Sequence, residues 1–378
     1  MKSTLDGAGQ TRDMTARQRP MRSFASRPDP IDLARARRVL AVKLSSFGDI
    51  VHVTPCLRAL RQACPAAEIL VAVDRTWAPV LASDPHIDGV IAADPQRRLF
   101  PASWIDARRR LALRPGPRFD LAIDFQGLSR SAAWVYASGA RWRTGRGRVR
   151  PGWQLTVAPD WKRHAVPMCA EIADRSGVSV TDLEPRLFVS AAAEQSIQGA
   201  LDAVGAPRSG FVLANPFGRW RSKVWPDERW AAFIRRVHTE IGAPLVIAGG
   251  PGEERDAQRL LARLAPSPPP SLAGKTTLAE AICLYRRAAL VVSGDSGPAH
   301  AAAAVGTPVV ALFGPTWPER TGPWGSSHRV IQASRAPSHD AYRNAGAQRH
   351  MEAIDVAPVL DAVATVYLQR RAASGTYQ

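Results

Sequence analysis

One pattern constrains this 378-residue chain more than any other: short, continuous apolar runs end at polar turns, and each is followed by residues at helical spacing. The segment "RRVLAVKLSSFGDI" opens the series. Residues 39–44 read as a buried strand and 45–49 as a tight turn. Ile50, Val53, Leu57 and Leu60 then form the apolar face of a helix that Cys64-Pro65 closes. Residues 68–74, 90–94 and 119–127 supply further strands. Apolar runs that do not alternate mark strands covered on both faces. Interleaved with helices, they predict βαβ units and a parallel sheet.

The pattern breaks around residues 186–208 and then restarts. Strands are expected at 210–216, 244–250, 290–295 and 308–314. Helices are expected at 227–242, 252–265, 277–288, 297–306 and 352–370. The reading is therefore α/β, with two Rossmann-like parallel-sheet domains, 38–195 and 208–350, facing a central cleft. A disordered basic tail (1–37) precedes them, and a C-terminal helix (351–370) is expected to pack back toward the first domain. Open α/β sheets bind ligands beyond the carboxyl ends of their strands, so both halves should aim loops at the cleft.

Charge narrows the ligand. The formal net charge is +17, and residues 97–163 hold fifteen Lys and Arg against four Asp and Glu. Such a field attracts a phosphorylated substrate, an anionic membrane face or nucleic acid, unless the arginines only solvate surfaces. No apolar run approaches the ~18–20 residues of a membrane span. The tail carries no apolar segment of signal-peptide type. Cys56, Cys64, Cys169 and Cys283 are scattered, so neither a disulfide framework nor a cysteine metal site is readable, and a reduced compartment is expected. Both Gly-x-Gly-x-x-Gly and the Walker sequence are absent.

Four segments carry chemistry. In "VVSGDSGPAHAAAAVG" a strand ends at Asp295 and a helix starts at Ser296-Gly297-Pro298. Proline in the first turn gives up an N–H that has no helical partner, and the helix mouth suits a pyrophosphate. Gly297 would let the phosphate approach, Ser296 could donate a further bond, and His300 lies within reach. In "GRWRSKVWPDERW", Lys223 sits on a loop before a Pro-Asp helix start, either as a cation for a leaving diphosphate or as a surface lysine beside Trp225 and Trp230. Asp49 either caps its helix or serves as a general base. Asp124, Gln126 and Gly127 end a strand beside the basic stretch, as ligands for polar substrate groups or as plain turn residues.

Taken in order, "KLSSFGDIVHVTPCLRALR", "IDFQGL", "KRHAVP", "NPFGRWRSKVWP", "AGGPGEE" and "SGDSGPAHAAAAVGTPVVALFGPT" resemble the lipopolysaccharide core heptosyltransferases of glycosyltransferase family nine, most nearly those of type I. The resemblance covers residues 39–324. It implies a GT-B fold, ADP-L-glycero-D-manno-heptose as donor, and inversion at the anomeric carbon with neither metal nor cofactor. It further implies a Kdo sugar on lipid A as acceptor and a cytoplasmic location, peripheral on the inner membrane. Asp49 matches the family's base and Lys223 the lysine on the donor phosphates. Asp295, Ser296, Gly297, Pro298 and His300 match the donor turn, with Glu253 at the ribose and Thr276 near the adenine. Ser46, Gly48, Asp124, Gln126 and Gly127 are the acceptor-side candidates. The long tail and the long loop before Lys223 depart from the family pattern.

Three rivals differ in chemistry. They are a family-nine transferase with another donor or acceptor, a sugar-nucleotide epimerase on the same scaffold, and a basic nucleic-acid-binding protein. The last would need stacking aromatics interleaved with its arginines, and the basic stretch shows no regular pattern of them.

Overall fold

The computed structural model describes residues 31–374. Of the tail expected to be disordered over 1–37, residues 1–30 lie outside them, whereas 31–37 are ordered, with a 3₁₀ turn at Leu33–Arg35 and Ala36 buried in the core.

The first half runs β1 (Arg38–Val42), α1 (Phe47–Val51), α2 (Thr54–Ala63), β2 (Glu68–Asp74), β3 (Gly89–Ala93), α3 (Phe100–Ala112), β4 (Leu121–Asp124), α4 (Ser129–Ala137), β5 (Trp142–Arg146), β6 (Leu155–Val157) and α5 (Ala165–Arg175). Its six strands are all parallel, in the order β3-β2-β1-β4-β5-β6. Every residue of β1 is buried, as its unbroken apolar run requires. The single helix expected after β1 is two, with Pro55 in the first turn of α2.

A connecting helix, α6 (Ala191–Ala203), fills the expected break, and Ser190 caps it through the N–H of Ala193. The second half follows: β7 (Val212–Asn215), α7 (Asp227–Arg236), β8 (Leu245–Ile247), α8 (Glu254–Arg263), α9 (Leu278–Arg287), β9 (Leu290–Gly294), α10 (Gly297–Ala304), β10 (Val309–Leu312), α11 (Pro318–Thr321), β11 (Arg329–Ile331), α12 (Arg349–Glu352) and α13 (Val356–Ser374). Its sheet is also parallel throughout, in the order β11-β10-β9-β7-β8.

These orders fix where a ligand can sit. In the first sheet the winding reverses between β1 and β4, so the turn after β1 opens at the switch point. In the second it reverses between β7 and β9, so the loops carrying Lys223 and Asp295 flank the opening. Crevices of this kind, beyond the strand ends, are where open α/β sheets hold ligands. One apolar core runs through both halves, from Val39 and Leu57 to Val291 and Phe313.

The last helix corrects an expectation. Val359, Leu360, Val363 and Tyr367 of α13 pack with Val212, Ile247 and Val310 on the second sheet, so the helix covers its own half and not the first. It shares with α7 and α8 the sheet face opposite α9 and α10.

Candidate active site

Asp49 is held from three sides. As the third residue of α1 it forms a reciprocal cap with Ser46, whose backbone N–H and hydroxyl donate to Oδ2 at 3.1 and 2.9 Å. Lys43 donates to Oδ1 at 3.4 Å. The Lys43 side chain is 2% exposed, whereas that of Asp49 is 46% exposed and opens on the cleft. Burial opposes ionisation of Asp49, but Lys43, His52 and the Ser46 hydrogen bonds outweigh it and hold the carboxyl well below the usual range. The cap reading and the functional reading of Asp49 are therefore compatible: one oxygen caps, and the other faces the cavity beside an ammonium group.

A second set of bonds fixes that turn. Gln126 accepts from the Ser45 N–H at 3.1 Å, and Arg130 donates to the Ser45 hydroxyl at 2.8 Å while pairing with Asp74 at 2.9 Å. Asp124 is fully buried. Its Oδ1 accepts from the Gln126 and Gly127 N–H groups, and its Oδ2 accepts from Ser131. Gly127 has a φ of 78° and lies against the Arg146 carbonyl, a site that a side chain would not fit. Asp124, Gln126 and Gly127 do not line the cavity. Both oxygens of Asp124 are engaged within its own turn, and the three brace the turn that presents Ser46, Gly48 and Asp49.

On the opposite wall, Lys223 donates to Asp295 Oδ2 at 2.7 Å, and its ammonium stands 4.3 Å from the centre of the Tyr342 ring. Burial disfavours the Asp295 anion, but Lys223 overrides it and holds the carboxyl below its ordinary value. Trp225 and Trp230, the sequence neighbours of Lys223, pack inward on each other while Lys223 faces the cleft. Ser296 caps α10 without bonding its N–H groups. Its hydroxyl meets Ser293 Oγ at 2.9 Å and the Gly294 carbonyl at 3.3 Å, so it is engaged with the strand end. Gly297 has a packing role as well. The space its Cβ would fill is taken by the Phe47 ring from the facing half, 2.3 Å away at the nearest atom, so packing requires the glycine there.

The reverse contact has the same form. A Cβ on Gly48 would lie 2.4 Å from His300 Cδ2, so α1 and α10 interlock: Phe47 fills the hollow over Gly297, and His300 fills the hollow over Gly48. His300 Nδ1 lies 3.3 Å from His52 Nε2. His164 accepts from the Val166 N–H through Nδ1 and donates through Nε2 to the Gly322 carbonyl across the cleft at 3.0 Å, which fixes it as the neutral Nε2–H form. Burial lowers all three histidines, His300 to about 4.

The cavity between the halves has a volume of about 1420 Å³. That exceeds the ~300–1,000 Å³ of a typical single-ligand pocket and leaves room for two substrates. Ser46, Gly48, Asp49, Lys223, Glu253, Thr276, Asp295, Ser296, Gly297, Pro298 and His300 all line it. Glu253 Oε2 accepts from the Gly250 N–H at 2.7 Å, and burial raises its pKa. Thr276 precedes the Thr277–Glu280 capping box that starts α9. The sequence reading missed Lys43, Trp161, Arg320 and Tyr342. Arg146 of the first half and Arg320 of the second stand 5.0 and 5.5 Å from the ring of Trp161, a cationic bridge over the cavity. Lys43 was visible as the one charge in an apolar run. Tyr342 sits in a segment with no regular pattern. Among the described residues, no group of three or more His, Cys, Asp and Glu is placed to hold a metal ion, and no helix is long and apolar enough to cross a membrane.

Two Rossmann-like sheets, each turning its switch point toward a shared cleft, define a GT-B glycosyltransferase fold. The profile of glycosyltransferase family 9 (heptosyltransferase) matches residues 108–349, and the chain belongs to that family. It is 30% identical to lipopolysaccharide heptosyltransferase 2 of Salmonella typhimurium over 341 residues, 85% of this chain and 95% of that protein. With lipopolysaccharide heptosyltransferase 1 of Escherichia coli K12 it shares 29% over 313 residues, 79% and 94% of the two chains. Type 3 of E. coli matches at 25% over 84% and 95%. The likeness thus extends to all three types at similar identity. Among solved structures, a family 9 glycosyltransferase from Veillonella parvula superimposes with a TM-score of 0.78 at 24% identity, covering 88% of this chain and 98% of that one. The E. coli heptosyltransferase WaaC with ADP gives 0.67 at 24%, covering 87% and 99%. At these identities the structures speak for the fold alone.

Proposed function

We propose that the protein transfers heptose from ADP-L-glycero-D-manno-heptose to a Kdo sugar of lipid A, with inversion and without a metal ion, at the cytoplasmic face of the inner membrane. One observation carries the reading: Asp49 and the Lys223–Asp295 pair come from opposite halves and line a single cavity. The heptosyltransferase names of the relatives support the sugar. A WaaC structure holding an ADP-2-deoxy-2-fluoro heptose supports the donor class.

The acceptor hydroxyl attacks the anomeric carbon from the Asp49 side. Its oxygen bonds to that carbon, its proton passes to Asp49, and the bond to the diphosphate breaks with the electron pair leaving on ADP. A carboxylate held at low pKa is a weak base, yet it suffices here. The hydroxyl becomes strongly acidic once the new C–O bond has largely formed, so proton transfer comes late. Charge then builds on ADP, where the Lys223 ammonium and the mouth of α10 stabilise it. Lys223 keeps one proton on Asp295 and has two left for phosphate oxygens. Glu253 and Thr276 would hold the nucleoside. Ser46 and Gly48 would meet the acceptor.

The test is incubation with ADP-heptose and Kdo-lipid A, with and without chelator, reading ADP release and product mass. A product heavier by one heptose in both samples is expected. Donor turnover without acceptor, or transfer lost on chelation, would overturn the reading.

A further inference from the structure

Two stretches of the second half carry no regular period: the long loop before Lys223, and residues 332–348 between β11 and α12. In the fold they meet. The Ser222 hydroxyl donates to the Tyr342 carbonyl at 2.5 Å, and the Trp220 ring stands edge-on to the Tyr342 ring with centroids 5.2 Å apart. His339 flanks the same ring at 6.3 Å. The second stretch is tied in turn to the loop after β10. The Ala336 N–H donates to the Pro315 carbonyl at 3.3 Å, the Trp317 indole N–H to the Ala336 carbonyl at 3.0 Å, and the Trp317 backbone N–H to His339 Nδ1 at 3.3 Å. Tyr342 is thus fixed by its main chain and by rings on both sides, while it lies outside the apolar clusters and lines the cavity.

What the ring meets is an ammonium group. Lys223 Nζ stands 4.3 Å from its centre, inside the ~6 Å range of cation–π attraction, and also donates to Asp295 at 2.7 Å. The Tyr342 hydroxyl is engaged elsewhere, accepting from Arg343 Nε at 3.3 Å. A lysine stem is long and flexible, and ordering it costs entropy when a ligand binds. One ion pair leaves the ammonium free to turn about Asp295, and a second contact on its flank orders it beforehand. A ring suits that post better than a second carboxylate. It attracts the cation through its quadrupole, yet it carries no net charge to repel an arriving diphosphate.

We infer that Tyr342 is a positioning residue for the transfer: its ring holds the Lys223 ammonium in place beside Asp295, ready for the phosphates of the donor. The inference rests on the role proposed for Lys223 and adds a residue that never touches the reacting atoms. It also gives the long loop before Lys223 a purpose, since Trp220 and Ser222 of that loop are what seat the ring.

Calorimetric titration of ADP into the full-length protein tests it. Tyr342→Phe keeps the ring and should bind ADP as the parent does. Tyr342→Leu should weaken ADP binding by about fivefold to thirtyfold, the span of a partly desolvated cation–ring contact. In a Lys223→Ala background the same change should cost less than about twofold, because no ammonium is left to hold. Phenylalanine carrying one, two or three fluorines at position 342 keeps the shape of the ring and strips negative charge from its face. ADP affinity should therefore fall with each fluorine, and this series gives an answer whether or not the leucine variant folds. Affinity that stays flat across the series while Lys223→Ala weakens ADP binding would overturn this inference alone. So would a Tyr342→Leu loss as large without Lys223 as with it. Unchanged ADP affinity in Lys223→Ala would overturn it together with the role of Lys223.

Discussion

Replacing Gly48 by alanine sets two effects against each other. Within a helix the change normally helps, since glycine is ~1 kcal/mol worse than alanine. Here the new Cβ would lie 2.4 Å from His300 Cδ2, 3.2 Å from Nε2 and 3.3 Å from Cγ. Ordinary carbon contacts sit at about 3.5–4.0 Å, so the ring must retreat by about 1 Å. It has little room, being buried with Nδ1 against His52. Overpacking of this kind costs ~1–3 kcal/mol, which leaves Gly48→Ala destabilised by up to ~2 kcal/mol. In a His300→Ala background the obstacle is gone, and the same substitution should stabilise by up to ~1 kcal/mol. The four proteins of the cycle, unfolded in urea at neutral pH, should therefore show a coupling of ~1–3 kcal/mol. If Gly48→Ala loses as much stability without the imidazole as with it, the interlock of α1 and α10 is refuted.

Asp49→Asn should abolish transfer while calorimetry still finds ADP bound, and an active variant would remove Asp49 as the base. Lys223→Ala should weaken ADP binding and slow turnover by ~10²–10³, the loss typical of one well-placed donor; unchanged steady-state kinetics would exclude its role. Lys43→Met removes the cation that helps hold Asp49 ionised, so the acid limb of kcat/KM should move to higher pH than in the parent protein. For the histidines the sign follows from their lowered pKa. The unfolded chain takes up protons near 6.5, and the folded one refuses them until about 4 at His300. Stability is thus full above pH 6.5 and falls as pH drops through that window, by on the order of 3 kcal/mol for His300 alone. His300→Gln should flatten the slope of denaturation midpoint against pH.

Much of this was legible because burial on both faces leaves an unmistakable trace: β1, β2, β7, β9 and β10 are near-continuous apolar runs in the sequence. The strands β5 and β6 left no such trace. "WRTGR" and "LTV" lie at one side of the sheet and are only partly buried, so charge and short length mask the period. Helix α6 was hidden by alanine: Ala193, Ile197 and Leu201 repeat at four, but small residues between them blur the stripe. Asp49, Lys223 and the Asp295–His300 turn were legible as polar residues at strand ends. That Asp124 turns inward was not, because a strand-end carboxylate looks the same whether it faces solvent or ties its own turn. The Lys43–Asp49 pair and the two glycine hollows depend on three-dimensional approach, which spacing does not encode.

The reciprocal seating of Phe47 over Gly297 and His300 over Gly48 ties readiness to shape. Parting the halves would lift both rings from their sockets and carry Asp49 away from Lys223, so the two walls of the cavity share one register only while Phe47 and His300 stay seated.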